Sequence, residues 1–222
     1  MTNTEILRKA PFHLDQTAID WVTATKAQMT LAEKIGQLFV FHSMGQDPDE
    51  FAKLAQLKPA GITRNFSADL AYEAQFIDTL QGAAKVPLFI SADLEGSRMS
   101  LPVGTEVPNP LALAAVNDIQ ASRTIARIMA QEARGIGINW SFTPVIDINH
   151  AFRSAIVATR GFGSSVETIE AQALAQIDEF QSQGVAATVK HWPGEGYDDR
   201  DQHLVTTINP LTMAQWEATF GR

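Results

Sequence analysis

The chain has 222 residues, 45% hydrophobic and 19% charged, enough for one large domain with a substantial core. Its formal net charge of -8 argues against nonspecific binding to nucleic acid or to an anionic membrane, since both need clustered positive charge. It has no cysteine, which excludes disulfides, thiolate catalysis and Cys-zinc sites.

The stretch from Met1 to Pro11 lacks the apolar centre of a secretory signal. No run approaches the roughly 18 apolar residues of a membrane span, so a soluble, cytoplasmic protein is expected. Ala18 to Gln28 reads as a helix, and Thr30-x-x-Glu33 is a capping box that starts a short second one. Gly36 to Phe41 is predicted as the first strand, Pro48 to Leu57 as helix and Gly61 to Arg64 as the second strand. A helix over Leu70 to Ala84 leads to a third, apolar strand over Val86 to Ala92. Ala121 to Arg134 is helical, stopped by Gly135 and Gly137. Asn139 to Ile148 holds the fourth strand. Ser164-x-x-Glu167 caps a helix whose apolar face is Val166, Ile169, Ala173, Ile177 and Phe180. Val185 to Lys190 is the fifth strand, and Thr212 to Phe220 begins another helix.

Strands alternating with helices imply parallel βαβ units in an α/β fold. These units fit either an open doubly wound sheet or a (β/α)8 TIM-type barrel. No strand leads into Gly-x-Gly-x-x-Gly, and Gly135-Ile136-Gly137 ends a helix rather than opening one. Polar residues instead collect at strand ends: Asp93 and Glu95, Asp147 and Asn149, Lys190 and His191. Functional groups drawn from several strand ends are typical of a barrel. Eight strands are needed and five are counted, so the barrel is expected only in part.

The densest group of such residues runs from Lys190 to His203. Asp201 and His203 stand two apart. In an extended loop they face the same way, and the carboxylate can fix the imidazole tautomer and raise its basicity. The other reading is a surface loop with scattered polar residues. Lys190 and His191 follow the fifth strand, where Pro193, Gly194 and Gly196 supply a bend. Either both lean over the mouth as donors to a polyhydroxyl ligand, or the lysine snorkels and the histidine packs on Trp192. Asp93 emerges where the third strand ends, a position suited to binding two sugar hydroxyls. Glu95 is expected to pair with Arg98. Arg160 lies in a glycine-flanked loop, as a substrate clamp or a solvated arginine. No His-x-x-x-His spacing is present, so neither metal nor cofactor is expected. His13 and His42 read as structural.

Several segments together resemble one family. They are Lys34-Ile35-Gly36-Gln37-Leu38, Asp93-Leu94-Glu95-Gly96, Phe142 to Asn149, Arg160-Gly161-Phe162-Gly163 and Lys190-His191-Trp192-Pro193-Gly194. In this order they are similar to the N-terminal barrel domain of glycoside hydrolase family 3, from about Leu31 onward. The resemblance implies a partial barrel domain over residues 1–222, with 1–30 as a helical extension. It implies a carbohydrate partner, with Asp93, Arg160, Lys190 and His191 lining the -1 sugar subsite. Asp201 and His203 match the Asp-x-His dyad of the β-N-acetylhexosaminidase branch, where histidine is the acid/base. The β-glucosidase branch generally lacks that dyad and stays as the alternative, beside a non-catalytic carbohydrate-binding remnant.

The implied reaction is retaining. A carboxylate attacks the anomeric carbon while His203 protonates the leaving oxygen, and water then hydrolyses the glycosyl-enzyme with His203 as base. A neutral histidine also repels phosphate less than a carboxylate does, so phosphorolysis is a further expectation. Three departures stand out. Gly194-Glu195-Gly196 replaces the Gly-His-Gly of many acetylglucosaminidases. Glu95 to Leu101 lacks a second arginine that often reaches the substrate. The family's nucleophilic aspartate is expected on a later strand than any here, since Asp198 and Asp199 belong to the dyad loop. The chain alone is therefore expected to be inactive.

Overall fold

The computed structural model describes residues 3–43 and 48–222. Two helices, α1 (Asn3–Leu7) and α2 (Gln16–Gln28), come first. Asp15 caps α2, accepting from the Ala18 amide at 2.8 Å. Helix α3 (Leu31–Gly36) opens on the expected capping box, with Thr30 and Glu33 bonded reciprocally. This helix consumes the start of the predicted first strand. The Gln37 amide still bonds back to the Glu33 carbonyl, so β1 begins only at Val40 (Val40–Ser43).

After α4 (Pro48–Leu57) the units repeat. They are β2 (Gly61–Arg64), α5 (Leu70–Ala83), β3 (Phe89–Ala92), α6 (Pro110–Val116) and α7 (Ile119–Gly135). Then come β4 (Trp140–Ser141), α8 (Val166–Ser182), β5 (Ala186–Ala187) and α9 (Met213–Glu217). The cap of α8 is Ser165, one residue beyond the predicted Ser164, and its hydroxyl accepts from Thr168. Helix α6 was not predicted, although Asn109 as cap and Pro110 in the first turn are ordinary start signals.

Among the described residues five strands, all parallel, lie in the order β1-β2-β3-β4-β5. Each strand therefore pairs with its successor, as in a barrel, whereas a doubly wound sheet reverses direction part-way. The strands are shorter than predicted. Asn139 explains part of this: its side chain bonds the Ile90 amide and the Leu88 carbonyl, doing between β3 and β4 what a backbone ladder would do. Beyond β4 pairing resumes as a single bridge between Val145 and Lys190.

One face of the sheet carries the core. Ile62, Ile90 and Ala92 pack on Phe76, Ile77 and Leu80 of α5 and on Met129, Ala130 and Ala133 of α7. Ile90 is fully buried, which stabilises by about 1.5–3 kcal/mol. On the other face Thr63 and Ser91 hydroxyls meet at 2.8 Å, and Phe89 and Trp140 pack edge to face. A buried ion pair closes the end of β2: Arg64 holds Glu73 of α5 with its guanidinium 4.2 Å from the Phe76 ring centroid. A second cluster gathers Ile148, Phe162, Ile169, Ala173 and Phe220. Of the predicted α8 face, Ile169, Ala173 and Phe180 are buried, joined by the unpredicted Gln172 and Gln176. Among the described residues no helix is long and apolar enough to cross a membrane.

Candidate active site

The carboxyl ends of β3, β4 and β5 deliver one continuous hydrogen-bonded network. Asp93 is the residue after β3, and Lys190 reaches it across the sheet with Nζ 2.5 Å from Oδ1. The same ammonium lies 2.5 Å from Glu95 Oε1. Arg160 then grips Glu95 with two bonds, Nε to Oε2 and Nη2 to Oε1, each 2.8 Å. Glu95 therefore does not pair with Arg98, as its sequence neighbourhood suggested. The αL backbone at Ser97 turns the chain after Gly96, and Glu95 points inward to be 1% exposed. Burial pushes the Glu95 carboxyl up, but Arg160 and Lys190 outweigh it and hold the group below its ordinary range.

His191 is the next link. Its Nε2 lies 3.4 Å from Arg160 Nη2, and its Nδ1 lies 2.5 Å from Asp147 Oδ2. A guanidinium only donates, so Nε2 accepts and Nδ1 carries the proton. His191 thus does not pack on Trp192; that indole meets Trp216 edge to face instead. Asp147 is fully buried and also accepts the backbone amides of His191 and Glu195, at 3.2 and 2.8 Å. Burial raises its pKa, but the bond from His191 and these amides overcome that and leave it lowered.

Lys190 and His191 both join the network, and the chain bends sharply after them. Gly194 and Gly196 have φ of +119° and +97°. A Cβ on Gly196 would stand 2.1 Å from the Ile148 carbonyl oxygen, so glycine is required there on two grounds. Helix α9 braces the bend, with Trp216 Nε1 donating to the Pro193 carbonyl at 2.6 Å.

The loop beyond carries the predicted dyad. Asp201 Oδ1 accepts from His203 Nδ1 at 2.7 Å and from the His203 amide at 2.8 Å. These bonds hold the Asp201 carboxyl below its ordinary range. His203 is 70% exposed, so its Nε2 is open to a ligand. Asp198 is bound by Arg200 and by the Ile208 amide, and Asp199 lends its carbonyl to the Ala155 amide. His13 and His42 are both exposed rather than packed. His42 approaches Asn65 at 3.4 Å, and no hydrogen bond links either to the network.

The structure therefore brings Asp93, Arg160, Lys190 and His191 into one network. Asp201 and His203 are paired with each other in the loop beside it. Sequence reasoning missed Asp147 as the support of His191, and noted Glu195 only as a departure from the family pattern. Asp147 follows an apolar run at a strand end as Asp93 does, and that parallel was the available signal. Among the described residues, Asp147, His191 and Glu195 offer three possible ligand atoms within 4.8 Å of one another. A cation there would have to displace the proton that His191 Nδ1 donates to Asp147. The bonding present is that of a hydrogen-bonded cluster.

Known proteins share this fold and much of this sequence. The family model described as the glycosyl hydrolase family 3 N terminal domain matches residues 30–220. A beta-N-acetylglucosaminidase/beta-glucosidase of Cellulomonas fimi is 40% identical over 97% of this chain and 38% of its own length. A beta-hexosaminidase of Glaesserella parasuis is 35% identical over 67% of this chain and 43% of its own. Among solved structures, a beta-glucoside phosphorylase, BglX, superposes with a TM-score of 0.92 at 30% identity, over 99% of this chain and 40% of its own. This chain thus spans about two fifths of the length of these relatives. Five sequential parallel strands, a charged network at their carboxyl ends and the match over residues 30–220 place the chain in glycoside hydrolase family 3.

Proposed function

We propose that this chain forms the sugar-binding part of a retaining exo-β-N-acetylhexosaminidase. Asp93 accepts hydroxyls of the terminal sugar, while Lys190, Arg160 and His191 line the same pocket. His203, oriented by Asp201, protonates the leaving oxygen and later deprotonates water. The observation that carries this reading is the network running from Asp93 through Lys190, Glu95 and Arg160 to His191, with the Asp201–His203 pair in the adjoining loop. None of its carboxylates is free to attack: Glu95 and Asp147 are locked in buried bonds, and Asp93 holds Lys190. The chain spans 38% of the Cellulomonas relative, and we place the attacking carboxylate in the remainder, so residues 1–222 alone are inactive. Residues 1–30 we read as a helical extension, since α1 and α2 lie there and the family match begins at 30.

The test uses the protein as its gene encodes it. An aryl N-acetyl-β-glucosaminide is expected to turn over faster than the matching β-glucoside, and His203→Ala to lower kcat/KM by at least about a hundredfold. Equal activity in His203→Ala would sink the acid/base assignment. A faster glucoside would move the protein to the β-glucosidase reading, which the double name of the Cellulomonas relative favours. Sugar binding without turnover would leave a non-catalytic module. The likeness to a phosphorylase also supports phosphate as acceptor. If so, glycosyl phosphate accumulates when inorganic phosphate is added, and a rate and product independent of phosphate would remove that reading.

A further inference from the structure

The His203 end of the Asp201–His203 pair stands in solvent, although Asp201 itself is 28% exposed. His203 is 70% exposed, Leu204 81% and Val205 47%. Among the described residues, the other hydrogen bonds made by residues 200–208 stay within 198–208. Two bonds leave that loop: the Asp199 carbonyl accepts from the Ala155 amide at 3.3 Å at its start, and Gln202, the residue between the two dyad members, donates from Nε2 to Glu195 Oε2 at 2.7 Å. Glu195 is in turn fixed. Its amide donates to the buried Asp147 at 2.8 Å, glycines with positive φ flank it on both sides, and its carboxylate lies 4.0 Å from His191 Nδ1.

We propose that Glu195 is a positioning residue which, through Gln202, ties the acid/base loop to the sugar-facing His191 and Asp147. A single buried carboxylate, Asp147, then sets both the orientation of His191 and the anchor of the loop. The tether also gives a role to a residue that departs from the family's Gly-His-Gly pattern. The Glu195 carboxylate accepts the bond from Gln202 there. The proposal rests on reading Asp201 and His203 as the acid/base pair, but the tether itself is measurable without turnover.

Hydrogen exchange of the His203, Leu204 and Val205 amides, followed by NMR on the sugar-free chain, reads the tether directly. These amides bond only to Asp201, so they report the order of the loop and not the core. Glu195→Ala and Gln202→Ala are each expected to speed their exchange on the order of tenfold, with the Ile62 and Ile90 amides unchanged. The reversed pair, Glu195→Gln with Gln202→Glu, restores a donor opposite a carboxylate and is expected to return exchange toward the wild-type rate. A merely structural role for Glu195 predicts no such rescue. If Glu195→Ala loosens the core amides as well, Gln202→Ala decides, because it leaves the Asp147 contacts intact. Unchanged loop exchange in Gln202→Ala, or failure of the reversed pair to slow it, would overturn the tether and leave the glycosidase reading standing. The full gene product showing no His203-dependent turnover would do the converse.

Discussion

Asp147→Asn keeps the shape of a fully buried side chain and removes its charge. In the native protein Oδ1 accepts two backbone amides and Oδ2 accepts the proton on His191 Nδ1. An asparagine has two ways to sit. With its oxygen toward the amides, its NH2 faces Nδ1–H, and the imidazole must move its proton to Nε2. With its oxygen toward the ring, two buried amides lose their acceptor, at about 1–3 kcal/mol each. The first arrangement costs less. It exchanges one bond to a charged acceptor, about 1.5–3 kcal/mol, for a neutral bond, and turns Nε2–H toward Arg160, which also donates. The net expectation is a loss of about 2 kcal/mol, or roughly 1 M in the urea midpoint at an m value near 2 kcal/mol/M. Urea unfolding followed by tryptophan fluorescence measures the first quantity. Nitrogen chemical shifts of the His191 ring measure the second, with the proton expected on Nδ1 in the wild type and on Nε2 in the variant. An unchanged midpoint with the proton still on Nδ1 would refute the role given to Asp147.

The other expectations follow from neighbouring features. Arg160→Met leaves Glu95 buried with Lys190 as its remaining cation, and should cost about 3 kcal/mol at neutral pH. Because Glu95 is held below its ordinary 4.5, its bonds stabilise the native state above that value, and this contribution fades as pH falls toward the lowered pKa. The gap between wild type and Arg160→Met should therefore narrow in acid, and urea titrations at pH 7 and pH 3.5 would show it; a constant gap would point to lost packing instead. Gly196→Ala meets the Ile148 carbonyl and a positive φ, and should destabilise by more than about 2 kcal/mol. Gly82→Ala in α5 meets nothing within 4 Å and should stabilise by up to about 1 kcal/mol, so thermal melts of the two should move in opposite directions.

The barrel-like order was legible because each apolar run is short and punctuated, and because Thr30 and Thr212 advertise helix starts that the structure honours. Strand lengths were not legible. Whether an apolar residue joins the ladder depends on its partner, and Asn139 replaces ladder bonds with side-chain bonds that no periodicity reveals. The residues of the network could be picked out individually, since Asp93, Lys190 and His191 interrupt apolar strand ends. Their partnerships could not. Glu95 looked local to Arg98, three residues on, yet its cations are Arg160 and Lys190, which are 65 and 95 residues away in sequence. Lone charges announce themselves in a sequence; the counter-charge that stabilises each is fixed by the sheet.

Because every strand lies beside its sequence neighbour, each βα unit can dock as soon as it leaves the ribosome, on a partner already made. The pocket follows a different timetable. The Lys190–Asp93 bond joins residues 97 apart, and it can form only when β5 has been added to a sheet begun at β1. During synthesis this network is thus the last part of the sheet to assemble, and the Lys190–Asp93 bond marks the moment when the growing chain has folded through its fifth strand.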